Sequence, residues 1–167
     1  MKKLALLLGL AAAMAAGPVM AQVYPSELSI FGNWTRTRQS GQSVDVRNMD
    51  VGYGYYLTPQ TVGTLSYSKF NSESTGQTSI MLGLKHYFDI GRRGNVVPYV
   101  NGGVGTTKGF GATGNESDRG RRWEMGTGVS TFLTEATSFD IGIEFFRNQT
   151  RPGGSGTIYG MGLTTRF

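Results

Sequence analysis

From about residue 27 to its last residue, the chain alternates apolar positions with small or polar ones. The segment 157–167 shows the pattern at full length. Tyr159, Met161, Leu163, Thr165 and Phe167 fall on one face, and Ile158, Gly160, Gly162, Thr164 and Arg166 on the other. A period of two is the signature of a strand whose two faces meet different surroundings. A strand of about 10 residues with one apolar face is long enough to cross a bilayer as part of a barrel wall.

Eight such segments can be drawn, near 27–37, 44–57, 61–70, 77–88, 96–107, 122–133, 138–147 and 157–167. Leu28, Ile30 and Trp34 oppose Ser29, Phe31 and Asn33 in the first. Ile80, Leu82 and Leu84 oppose Ser79, Gly83 and Lys85 in the fourth, and Ile141, Ile143 and Phe145 oppose Asp140, Gly142 and Glu144 in the seventh. The connections after segments two, four and six are short, whereas the others are longer, with 108–121 the longest. Tight turns at one end and longer loops at the other are the asymmetry of a barrel inserted from inside the cell. Trp34, Tyr67, Trp123, Phe145 and Tyr159 lie near the outer strand ends, and Tyr55, Phe88, Phe139 and Phe167 near the inner ends. Two aromatic belts of that kind suit the two lipid–water interfaces. The expected fold is all-β, an eight-stranded antiparallel up-and-down transmembrane barrel of outer-membrane type. A soluble barrel of the lipocalin type is the alternative architecture.

The N-terminus adds a destination. Lys2 and Lys3 precede the apolar stretch 4–16, and Val19-Met20-Ala21 forms a small-residue cleavage pattern. Residues 1–21 therefore read as a secretory signal peptide, too short in its apolar part for a spanning helix, and 22–167 as the barrel domain. No later segment is apolar enough for a helical span. Cysteine is absent, so no disulfide can staple an exported chain, and a closed hydrogen-bonded barrel has to supply its rigidity. The formal charge of +5 includes both signal lysines, a mild balance that, with export, argues against nucleic acid as a partner.

Val97-Pro98-Tyr99-Val100-Asn101-Gly102-Gly103-Val104-Gly105, the overall pattern and the terminal Phe167 resemble the small eight-stranded outer-membrane barrel family. That group contains the OmpA transmembrane domain, OmpX and opacity-type adhesins. The resemblance implies location in the outer membrane with both termini periplasmic, and a monomer. It also implies that Tyr159, Met161, Leu163 and Phe167 form the C-terminal signal read by the barrel-assembly machinery. The chain stops at the last strand, so the peptidoglycan-gripping domain of OmpA-type proteins is not expected.

An eight-stranded barrel has room inside only for its own side chains. Asp50, Lys85, Glu124, Asp140, Glu144 and Arg166 fall on the inward face and are expected to form a paired charge network filling the lumen. Arg36, Arg38, Arg47, Lys108, Arg119, Arg121, Arg122, Arg147 and Arg151 gather at the outer strand ends and loops. Guanidinium forks suit phosphate, so this rim is a candidate contact for lipopolysaccharide phosphates, with outer-membrane lipids as the other partner. No catalytic set, cofactor or metal site is readable. His86 is the single histidine, lies at the inner end and has no serine at triad spacing. The expected role is non-enzymatic: envelope structure and contact with lipopolysaccharide or a host surface. A narrow passive channel and a lipid A-modifying enzyme are the other readings.

Overall fold

The computed structural model describes residues 24–39, 42–71, 76–88, 95–110, 116–149 and 154–167. Residues 1–21, expected to form a signal peptide, and Arg151 lie outside them. For 34–39, 42–47, 70–71, 110, 116–118 and 154 the backbone alone is described. Eight strands run in order: β1 (Ser26–Gln39), β2 (Gln42–Thr58), β3 (Thr61–Asn71), β4 (Gly76–Tyr87), β5 (Val96–Phe110), β6 (Glu116–Phe132), β7 (Thr137–Asn148) and β8 (Gly154–Arg166). Each pairs antiparallel with its sequence neighbours, and β1 pairs with β8, so the sheet closes on itself. At the seam Ser26 N donates to Phe167 O at 3.0 Å and Phe167 N to Ser26 O at 2.9 Å. Closure leaves no strand edge, and in hydrocarbon every backbone N–H and C=O must find its partner inside the sheet.

Burial follows the pleat. Met81 is 3% exposed and the next residue, Leu82, 64%. Asp140 is fully buried, whereas the adjacent Ile141 is 56% exposed. The outside is an apolar band that includes Leu28, Ile30, Val51, Leu65, Leu82, Val104, Ile141 and Leu163. The buried side is largely polar or charged, with Glu27, Ser79, Lys85, Thr107, Arg122, Ser130, Asp140 and Arg166. A soluble lipocalin-type barrel would show the reverse, and so large an apolar exterior suits acyl chains rather than water. This is a transmembrane barrel.

A small apolar cluster of Tyr56, Val62, Tyr87 and Tyr99 packs inside the bore. Room for Tyr99 comes from two glycines on neighbouring strands. A Cβ built on Gly142 would stand 2.6 Å from the Tyr99 hydroxyl, and one on Gly128 would strike the same ring. These inward glycines therefore hold space for one large side chain, which agrees with their expected role beside long neighbours.

The expected asymmetry of the connections is not what the backbone shows. At the end opposite the termini of the barrel, called here the far end, only residues 40–41, 72–75, 111–115 and 149–153 separate consecutive strands. At the near end, residues 88–95 separate β4 from β5. The segment 108–121, expected to be the longest loop, is mostly hairpin, because Thr106 pairs with Arg121, Thr107 with Gly120 and Lys108 with Arg119. Backbone ladders need no apolar residues, so β6 continues past the point where its alternation becomes unreadable. The strands extend beyond the apolar band, and length that looked like loop is strand.

Leu82 faces the lipid side of the wall. Leu82→Arg is expected to lower the unfolding free energy in bilayers by about 2–4 kcal/mol, the cost of a cation near the midplane. Equilibrium urea titration of vesicle-refolded protein measures it, and Ser66→Asn on the inward face should cost far less.

Candidate functional site

The lumen is not one network but two. In the near half, Arg166 at the end of β8 is held by groups from four other strands. Its Nε donates to Tyr56 Oη at 2.7 Å and lies 3.8 Å from Glu27 Oε2, while Nη2 donates to Tyr87 Oη at 3.2 Å and Nη1 to Ser138 Oγ at 3.3 Å. Both tyrosine hydroxyls donate to Glu27 Oε2, Tyr56 at 2.9 Å and Tyr87 at 3.1 Å. The Arg166 guanidinium also lies over the Phe132 ring, 4.4 Å from its centroid. Ser138 links this set to the next, donating to Asp140 Oδ1 at 2.9 Å. Asp140 Oδ2 accepts from Lys85 Nζ at 3.2 Å and from Thr164 Oγ1 at 2.7 Å. Lys85 is sandwiched between the rings of Tyr87 and Tyr99, 4.7 and 4.4 Å from their centroids. This buried ion pair, well supplied with hydrogen bonds, joins β4 to β7 across the bore.

The far half is different. Arg122 Nε donates to Glu124 Oε2 at 3.2 Å, and its guanidinium covers the Phe146 ring at 4.6 Å. Asp50 and Glu144 have no cation among the pairs of the described residues. Asp50 is held by the amides of Asn33 and Asn48, the latter at 3.3 Å, and Glu144 by Asn101 Nδ2 at 2.6 Å. Asn33, Asp50, Asn101, Arg122, Glu124 and Glu144 border a cavity of about 110 Å³ that reaches down to Lys85, Tyr99 and Glu27 of the near half. It is polar enough and large enough to hold several ordered waters.

All six residues expected in a lumen network do face inward, but they divide. Lys85, Asp140 and Arg166 belong to the near half; Asp50, Glu124 and Glu144 belong to the far half. Sequence reasoning passed over Glu27, Tyr56, Tyr87, Ser138 and Thr164, which join the near set, and Asn33 and Asn101, which hold the far carboxylates. Strand parity was the signal available: each shares its face with a residue already assigned inward.

Among the rim residues, Arg122 is a correction. It is buried, 7% exposed, and bonded to Glu124 inside the bore, so it is no part of an exposed rim. Its position one step before Glu124 on the same face required this. Arg119, Arg121 and Arg147 are exposed at the far end, and Lys108 lies opposite Arg119. Arg36 stands opposite Asp45 and Arg47 opposite Trp34 in backbone register; with Arg38, their side chains lie outside the description. His86 is at the near end, its Nδ1 3.0 Å from Thr61 Oγ1 and its ring edge-on to Phe88. No group of metal-ligating residues occurs among the described residues. The C-terminal residues Tyr159, Met161, Leu163 and Phe167 are all exposed on the lipid side.

This geometry has close counterparts among solved structures. Neisserial surface protein A superposes with a TM-score of 0.74 at 16% identity, over 86% of this chain and 97% of that one. The chain has the fold of the small outer-membrane barrels. The N-terminal barrel domain of Pseudomonas aeruginosa OprF matches with a TM-score of 0.58 at 20% identity, over 84% of this chain and 97% of that domain. Ail, the attachment invasion locus protein of Yersinia pestis, matches with a TM-score of 0.57 at 16% identity, over 85% and 97%. The outer-membrane enzyme PagL shares the fold too, with a TM-score of 0.51 at 14% identity, over 83% and 99%. No family model and no curated protein sequence matches. The likeness is therefore one of fold, and the task has to be argued from the residues.

Two substitutions separate the halves of the lumen. Lys85→Met leaves Asp140 charged and fully enclosed, and should cost about 3–5 kcal/mol, read by urea unfolding of the refolded barrel. Asp50→Asn keeps the shape beside Asn33 and removes a carboxylate that has no ion pair among the described residues, so its cost should stay below about 1 kcal/mol.

Proposed function

We propose that this protein is a non-enzymatic, monomeric component of the bacterial outer membrane. It contributes to envelope structure and meets lipopolysaccharide or another surface molecule through its basic far end. On this reading a signal peptide in 1–21 directs export, the barrel-assembly machinery reads the strand ending in Phe167, and the near end with both termini is periplasmic. The single observation that carries the reading is the set of hydrogen bonds and ion pairs that crosses the near half of the bore. Arg166, Glu27, Tyr56 and Tyr87 bond to one another across the lumen, with Lys85 and Asp140 beside them. A solute would have to break several charge-assisted bonds at once to pass. His86 bonds to a threonine and lies away from the far end, which favours no acyl-transfer role.

A narrow passive channel is the second reading, favoured by the cavity of the far half with Asp50, Glu124 and Glu144 on its wall. Planar-bilayer recording discriminates. The wild-type barrel should show no stable openings, and Glu27→Ala, Arg166→Ala and Lys85→Ala together should produce them by removing the bonds that cross the near half. Steady conductance of the wild type would establish the channel instead. Lipid A from an overexpressing strain should keep its acyl pattern by mass spectrometry; a changed pattern would identify an enzyme. Ail has also been solved with the heparin analogue sucrose octasulfate, so a sulfated polysaccharide is the alternative anion for the far end.

A further inference from the structure

Among the described residues, the cations of the far end lie on β3 and on β5 to β7. Arg119 and Arg121 occupy alternate positions of β6 beyond Trp123, on the side of the wall that faces lipid, and both are exposed. Arg147 of β7 is exposed directly opposite Trp123. Lys108 of β5 stands opposite Arg119. Two strands further round, Lys69 of β3 is exposed opposite Thr78, which in turn pairs with Lys108. Below the cations the same face turns apolar: Trp123 at 38%, Val104 at 66% and Phe145 at 50% are open to the bilayer.

From this arrangement we infer that the β5–β7 wall holds a phosphorylated outer-leaflet lipid in a fixed seat. Its phosphate is gripped by Arg119, Arg121 and Arg147, and an acyl chain lies along Trp123, Val104 and Phe145. The inference rests on the proposed outer-membrane reading and narrows it, from a basic end in general to one arc of the lipid-facing wall. Three observations converge on that occupant. Alternate residues along a strand are about 7 Å apart, so Arg121 and Arg119 rise one and two such steps beyond Trp123. An interfacial tryptophan sits at headgroup level, which brings those guanidinium groups to the height of lipid phosphates. Arginine's planar fork matches a phosphate bidentately, and arginine is the cation at three of the five positions. Arg122 takes no part, since it turns inward to Glu124. A seat on the wall also differs from a loop contact in kind, because it needs a ligand with both a phosphate and a chain.

Trp123 is the natural reporter. The full barrel, folded in detergent with Trp34→Phe so that one tryptophan remains, is titrated with bisphosphorylated lipid A and with the same lipid stripped of both phosphates. The phosphorylated form should bind at least about tenfold more tightly, the scale of a lost charge-assisted contact. Inorganic phosphate alone should leave the fluorescence unchanged. Arg119→Gln, Arg121→Gln and Arg147→Gln together should abolish the preference; Arg121→Gln alone, a change at one exposed position, should reduce it several-fold. The heat-dependent gel shift reports whether each variant has folded. Equal binding of the two lipids by the wild type would overturn the inference and the lipopolysaccharide reading with it. A preference that survives the triple change but is lost in Arg36→Gln, Arg38→Gln and Arg151→Gln would overturn the wall seat alone and leave the broader reading standing.

Discussion

Closure of the backbone ladder is the constraint from which the rest follows. Because β1 pairs with β8 and Ser26 exchanges bonds with Phe167, backbone groups across the seam are paired without help from side chains or water. Side chains are then free to serve two unlike environments in strict alternation. The outward set can be apolar because acyl chains solvate it, and the inward set can be charged because it meets only itself. Neither arrangement would survive in an open sheet, whose edge would need covering.

Charge inside the bore is arranged by proximity rather than by count. The near half brings cations and anions from distant parts of the chain into contact: Lys85 with Asp140, and Arg166 with Glu27. Tyrosine and serine hydroxyls occupy the remaining donor and acceptor positions, so the set is both paired and hydrogen-bonded, as buried charge requires. The far half is poorer in cations and richer in amides, and the space beside Asp50 and Glu144 accommodates water. A barrel built this way has a bonded charge set at one end and a polar recess at the other, which explains why the same lumen suggests both a plug and a pore.

The exterior divides as well. Its apolar band is general to any membrane wall, whereas the cations beside and beyond Trp123 on β5, β6 and β7 give one arc of it a charged margin. Fold similarity at 14–20% identity shows the wall alone, and the matching structures include a surface protein, an attachment protein and an enzyme. Function on such a scaffold lives in what is grafted onto a face or an end.

The eight strands, their facing and the inward position of the six lumen charges were legible in the sequence, because a period of two assigns each residue to a face without reference to any distant one. Strand ends were not, since β6 runs on through Arg119, Gly120 and Arg121 on backbone bonds that leave no mark in residue type. Arg122 was misread for a related reason: composition grouped it with its basic neighbours, while parity with Glu124 had already turned it inward. Which charges pair was beyond the sequence altogether. Glu27 and Arg166 stand at opposite ends of the barrel sequence, and only closure of β1 on β8 sets them across from each other. Facing is a local property of the chain; pairing depends on the register of eight strands around a ring, and that exists only once the ring has closed.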